Sequence, residues 1–163
     1  MPTFLAFALA VTALAKEQDH EACPMHKVHQ AEVDHRHEAI TGVPSDGTEH
    51  HFALAKDGGS IRLEAKDTTR TEARDRARGH LRQIARAFAN GDFAMPMQIH
   101  DQVPPGVEVM KSHAAAISYR YADSARGGIV TIRTADAEAL VAVHEFLRFQ
   151  ITDHGTGDPT LQQ

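Results

Sequence analysis

The sequence predicts an α+β fold made of two ββα units, in which a four-stranded antiparallel sheet carries two helices on one face. Three observations point to it. Apolar and polar residues alternate around two Gly-Gly turns, Gly58-Gly59 and Gly127-Gly128. Each hairpin is followed by a helical stripe containing Leu-Arg, at Leu81-Arg82 and Leu147-Arg148, and each helix leads to a Gly-Asp pair, Gly91-Asp92 and Gly157-Asp158. The Gly-Gly pairs lie 69 residues apart and the Gly-Asp pairs 66, so the two copies differ by three residues.

The chain has 163 residues, room for one domain with a proper core. Residues 1–15, MPTFLAFALAVTALA, carry no charged side chain and end in Ala13-Leu14-Ala15 ahead of Lys16-Glu17. That is the apolar run and small-residue cleavage site of a signal peptide. The expectation is export with cleavage after Ala15, leaving a periplasmic or secreted chain with no membrane anchor.

Residues 16–49 are expected to form a flexible, acidic, His-rich arm. Seven of the 12 histidines fall within residues 16–51: His20, His26, His29, His35, His37, His50 and His51. Eight acids against three bases there account for the whole formal charge of −5. That sign argues against a nucleic-acid partner, which requires a basic surface.

A folded domain is expected over residues 50–158, with a short tail at 159–163. Residues 51–55 and 60–65 flank Lys56-Asp57-Gly58-Gly59 and read as a hairpin with an Asp-Gly turn. Thr69-Arg70-Thr71-Glu72 has the form of a capping box. The helix it opens runs to about Asn90, with Ala73, Ala77, His80, Leu81, Ile84 and Phe88 as its apolar stripe, and Gly91 stops it. Residues 117–121 and 129–133 bracket the second Gly-Gly turn as another hairpin. Thr134 or Asp136 caps the last helix, whose stripe is Leu140, Val143, His144, Leu147 and Ile151, ending at Gly155. His154 is placed to complement its dipole. A lone histidine on an apolar helical face, such as His80 or His144, is more often a hydrogen-bonded core residue than a ligand. One face of such a sheet stays open unless the arm or a second subunit, as in a homodimer, packs there.

Between the halves lies MPMQIHDQVPPGVEVMKSH, residues 95–113, with three methionines and two histidines. Pro96, Pro104, Pro105 and Gly106 forbid a continuous helix, so a rigid irregular loop is expected. Met-x-x-His occurs twice, as Met97 to His100 and Met110 to His113. Thioether and imidazole suit copper, particularly Cu(I), because neither must lose a proton at neutral pH and sulfur matches a soft ion. The candidate metal site is therefore Met97, His100 and Met110, completed by Met95 or His113.

In the arm, Cys23, Met25, His26 and His29 form a second set that captures ions or exchanges them with a metal-donor or acceptor protein. Cys23 is the single cysteine of the chain, so no internal disulfide forms. Two alternatives stand beside the copper reading. One is non-covalent haem with His100 and a methionine as axial ligands, since there is no Cys-x-x-Cys-His. The other is a metal-free interaction domain whose Met-rich loop is a partner surface. No Gly-x-Ser-x-Gly, His-Glu-x-x-His or Walker segment points to an enzyme.

Cys23-Pro24-Met25-His26 resembles the heavy-metal-binding segment of bacterial copper-handling proteins. Over residues 50–158, HLRQIARAFANGDFAMPMQIHD and AVHEFLRFQITDHGTGD resemble small bacterial proteins often labelled aspartate carbamoyltransferase. Thr68-Thr69-Arg70-Thr71 is similar to the phosphate-binding Ser-Thr-Arg-Thr loop of that enzyme. The resemblance implies a phosphate site at Thr69, Arg70 and Thr71, at a helix N-terminus where backbone amides favour an anion.

Overall fold

A computed structural model describes residues 24–162. The chain runs α1 (Pro24–Thr41), β1 (Thr48–Ala55), β2 (Gly58–Ala65), α2 (Thr71–Ala89), α3 (Ala94–His100), α4 (Val107–Ser112), β3 (Ile117–Asp123), β4 (Gly127–Thr134) and α5 (Ala137–Asp153), with a 3₁₀ turn at Ala114–Ala116 before β3. The four strands form one antiparallel sheet in the order β1-β2-β4-β3. The expected α+β fold, two ββα units with both helices on one face, is the fold observed. The expected leader and Cys23 lie outside the described residues.

Strand alternation divides the sheet into a buried and an open side. Phe52, Ile61, Val130 and Tyr121 form one cross-strand row facing the helices. The next row, Ala53, Ser60, Thr131 and Arg120, faces outward and is exposed or half-exposed. Ile61 and Val130 are 69 residues apart, so equivalent positions of the two halves pair with each other. An antiparallel pair of equivalents places a pseudo-two-fold axis through the middle of the sheet. Consistent with this, α2 crosses β2, β4 and β3, while α5 crosses β1, β2 and β4.

The helix stripes explain the core. Ala73, Ala77, His80, Leu81, Ile84 and Phe88 of α2 are all buried, as are Val143, His144, Leu147 and Ile151 of α5. Phe88 and Phe146 meet edge-on at 5.7 Å across the helix interface. Asp136 caps α5 by accepting from Ala139 N at 2.8 Å, and Thr134 Oγ1 accepts from Asp136 N at 3.0 Å. The expected capping box of α2 does not form. Thr69 gives its N–H and hydroxyl to Asp67 instead, and the N-cap residue, Arg70, makes no side-chain cap. An Asx-type turn outcompetes the cap because Asp67 sits two residues upstream.

Two tracts differ from expectation. The connector expected as an irregular loop folds into α3 and α4. Pro96 falls in the first turn of α3, where its missing N–H costs nothing. The helices are separated by Asp101 and Gly106, both left-handed, with φ of 52° and 80°. A Cβ at Gly106 would lie 2.1 Å from Ala142 O, so glycine lets α4 start directly against α5.

The tract expected as a flexible arm is helical from Pro24 to Thr41 and packs on α3. His29, Val33, His37 and Thr41 recur every four residues and share its inner face, with Val33 and His37 buried. Arg36 Nε donates to Ile99 O at 2.6 Å, and Gln30 Nε2 donates to His154 O. These long-range contacts replace the apolar burial that the composition lacks.

Candidate metal centre

α1 closes over one end of the helix layer, and histidines from four elements meet beneath it. His37 comes from the inner face of α1, His50 from the inward alternation of β1, and His80 from the stripe of α2. One ring nitrogen from each lies within 4.8 Å of the others. His154, just past α5, stacks on His50 with ring centroids 4.7 Å apart and meets His37 edge-on at 6.2 Å. Among the described residues, His37, His50 and His80 are the one group of three histidines, cysteines or acids close enough to share an ion.

The rings line a cavity of about 40 Å³ together with His100, Gln150 and apolar side chains including Phe52, Ile61, Leu81, Ile84 and Phe146. Burial in that wall makes charging the rings costly. Burial first, and the charge of His100 second, push His37 down to about 4. Burial, then His37, push His80 down to about 3. His154 falls to about 3 through burial, then His100 and His37, and His50 falls well below the usual range for the same kind of reason. All four are neutral at pH 7 and offer lone pairs. His154 therefore does not act as the cationic dipole partner expected of it.

Two of these lone-pair or N–H positions have no partner: His37 Nε2 and His80 Nδ1 are buried and unbonded. Leaving such a group unsatisfied costs about 1–3 kcal/mol each. His144 is the contrast. Its Nε2 bonds Ala55 O at 2.9 Å and Gly58 O at 3.0 Å, pinning the first hairpin turn, which makes it a satisfied core histidine.

Behind the cavity lies a polar chain. His29 Nε2 is 2.7 Å from Asp153 Oδ1, Asp153 Oδ2 is 2.5 Å from His100 Nδ1, and His100 Nε2 is 3.0 Å from Gln150 Oε1. Although burial pushes Asp153 up, hydrogen bonds from His100 and His29 hold its carboxyl below the usual range.

The sulfur-bearing set expected from the sequence is not assembled around one point. Met110 is fully buried in the aliphatic core, and Met95 packs against that core. Met97 is half-buried beside Asp92, Asp101 and Lys111. Both nitrogens of His100 are engaged by Asp153 and Gln150. His113 lies 3.4 Å from Asp136 and 3.6 Å from Glu138, at the start of α5. The reason is geometric: once the connector is helical, successive side chains leave it in different directions. In α1, Met25 is 80% exposed and His29 is taken by Asp153, while the side chain of His26 and all of Cys23 lie outside the described residues.

The phosphate expectation fares no better. Arg70 is paired with Asp67 at 3.2 Å, Thr69 is bonded to the same acid, and the hollow beside Thr71 is shared with Glu38, Asp46 and Glu72. An anion would meet these carboxylates alongside Arg70 and Arg76, which are already paired with Asp67 and Glu72.

The pseudo-two-fold axis shows what the histidines are not needed for. Strand positions correspond at an offset of 69 and helix positions at 66, so Tyr119 answers to His50, Phe146 to His80 and Phe88 to His154. The stacked His50–His154 pair is mirrored by Phe88 and Tyr119, edge-on at 5.7 Å. The same framework closes around benzene rings on its other side, so packing alone does not require imidazole.

Comparison of the chain with family models, with curated proteins and with solved structures finds no match. Among the described residues no helix is long and apolar enough to cross a membrane.

Proposed function

We propose that this protein binds a transition-metal ion through His37, His50 and His80, with copper the leading candidate, and that it serves outside the cytoplasm as a chaperone, buffer or resistance factor for that ion. The observation that carries the reading is the convergence of three neutral imidazoles from three separate elements, two of them with an unbonded buried nitrogen. A metal bond satisfies such a nitrogen without a proton. Tetrahedral bonds of roughly 2.0–2.1 Å place ligand nitrogens roughly 3.4 Å apart, so the rings have to close inward by about an ångström.

An all-nitrogen donor set suits copper, zinc and nickel, and copper heads the affinity order of divalent ions. Haem is less well supported, because both nitrogens of His100, its expected axial ligand, are engaged by Asp153 and Gln150. A Met-rich partner surface is also less well supported, since Met110 is buried. Export rests on the leader-like residues 1–15.

The test is a competitive copper titration of the full chain. One tight equivalent is expected in the wild type and none in the His37→Ala/His50→Ala/His80→Ala variant. Met97→Ala should bind as the wild type does. Unchanged binding in the triple variant would sink the reading.

A further inference from the structure

We infer that His154 is the fourth ligand of the metal ion, its ring turning inward to complete a four-imidazole site with no coordination position left open. The inference rests on the metal reading above and deepens it, from three convergent rings to a closed set suited to holding an ion and handing it on.

The donor count comes first. His37, His50 and His80 supply three nitrogens, one fewer than a tetrahedral ion takes. The cavity wall carries two further imidazoles, His100 and His154. Both nitrogens of His100 are engaged, by Asp153 and Gln150. His154, among the described residues, forms its hydrogen bonds through its backbone alone: its N–H donates to Gln150 O at 3.0 Å, and its carbonyl accepts from Gln30 Nε2. The main chain is thereby held from α5 and from α1, while the ring keeps its rotation about the side-chain bonds.

The spacing of the rings fits a shared ion. Bonds of roughly 2.0–2.1 Å put each ring centroid roughly 3 Å from the metal, and four such centroids in a tetrahedron stand roughly 5 Å apart. The centroids of His37 and His50 are 4.8 Å apart, those of His37 and His80 5.3 Å, and those of His50 and His154 4.7 Å. The long spacing is His37 to His154, at 6.2 Å, and His154 lies nearly flat on His50, with 22° between the planes. A swing of the His154 ring toward His37 shortens the one and opens the other.

His154 also stands where an ion would enter. Beside the cavity is a polar hollow of about 280 Å³ whose walls include Asp34, Glu49, His51 and Lys66. The residues that line both spaces are His37, His50 and His154. The partition is imidazole alone, so a cation crossing it passes directly onto ring nitrogens. His154 is half-buried at that partition and closes behind the ion.

The experiment loads the full chain with Cu(II) and counts imidazole ligands by pulsed EPR, beside a competitive copper titration. Four imidazoles are expected in the wild type. His154→Phe installs the ring that its counterpart Phe88 supplies in the other half, so the packing is kept and the donor removed. The count should fall to three with one equivalent still bound. Copper affinity should fall about tenfold or more, the loss that removing even an outer-shell partner causes at a metal site. His154→Ala, with the same expectation, serves as the second variant if the phenylalanine form does not fold. Three imidazoles in the wild type, or an unchanged count or affinity in the variant that folds, overturns the inference and leaves the metal reading standing. No copper uptake by the wild type overturns the metal reading itself.

Discussion

His80 and Phe146 occupy equivalent positions in the two halves of the molecule, 66 residues apart in the chain, and both line the same cavity. One ring is a neutral imidazole with an unbonded buried nitrogen, and the other is a benzene ring that needs no partner. The fold can therefore be asked to exchange one for the other.

His80→Phe, and likewise His50→Tyr after Tyr119, should fold normally. Removing the orphaned His80 nitrogen should leave metal-free stability unchanged or raised by about 1 kcal/mol. Metal binding should be lost. Thermal unfolding with and without copper checks both halves of the statement: a large drop in metal-free stability would mean the imidazoles serve packing after all.

Acid should destabilise the metal-free protein unusually early. His37, His80 and His154 titrate at about 4, about 3 and about 3 in the fold, against 6.5 for the free side chain. Below about pH 6.5 the unfolded chain takes up protons that the folded chain refuses, so stability falls with pH until each ring is protonated in place. Each such ring removes up to about 1.4 kcal/mol per pH unit through that window. Denaturation at pH 7.5, 6.5 and 5.5 measures it, and saturating copper should raise stability at all three values without changing the slope, because the folded rings carry no proton for the ion to displace in that range.

Asp153→Asn should cost about 2–3 kcal/mol. One carboxylate ties α1 to α5 through His29 and α3 to α5 through His100. Hydrogen exchange should show α1 losing protection before the sheet does.

Two glycines should respond with opposite sign. Gly106→Ala forces a Cβ within 2.1 Å of Ala142 O at a φ of 80° and should destabilise by about 2–3 kcal/mol or more. Gly79→Ala lies inside α2 with nothing within 4 Å of the new Cβ and should stabilise by about 1 kcal/mol. Urea unfolding of the two variants decides this.

Much of the framework was legible because it is periodic. Strand alternation around the Gly-Gly turns, the α2 and α5 stripes and the 69- and 66-residue offsets are local patterns in the chain, and each maps onto an observed element. The inner face of α1 was harder to read, because its repeat of four joins His29, Val33, His37 and Thr41, of which one is apolar. His50 was a readable signal passed over: it continues the inward alternation of Phe52 and Leu54 by one step beyond the expected start of the strand.

The residue sequence by itself determined the four strands, α2 and α5, the duplication, and a supply of imidazoles ample for a metal. Which imidazoles face one another was decided only when α1 closed on the helix layer, bringing His37, His50 and His80 together from three elements. Local periodicity dictates a side chain's direction from its own backbone, whereas a ligand set is a coincidence of three such directions in space, and that coincidence exists only after the core has packed.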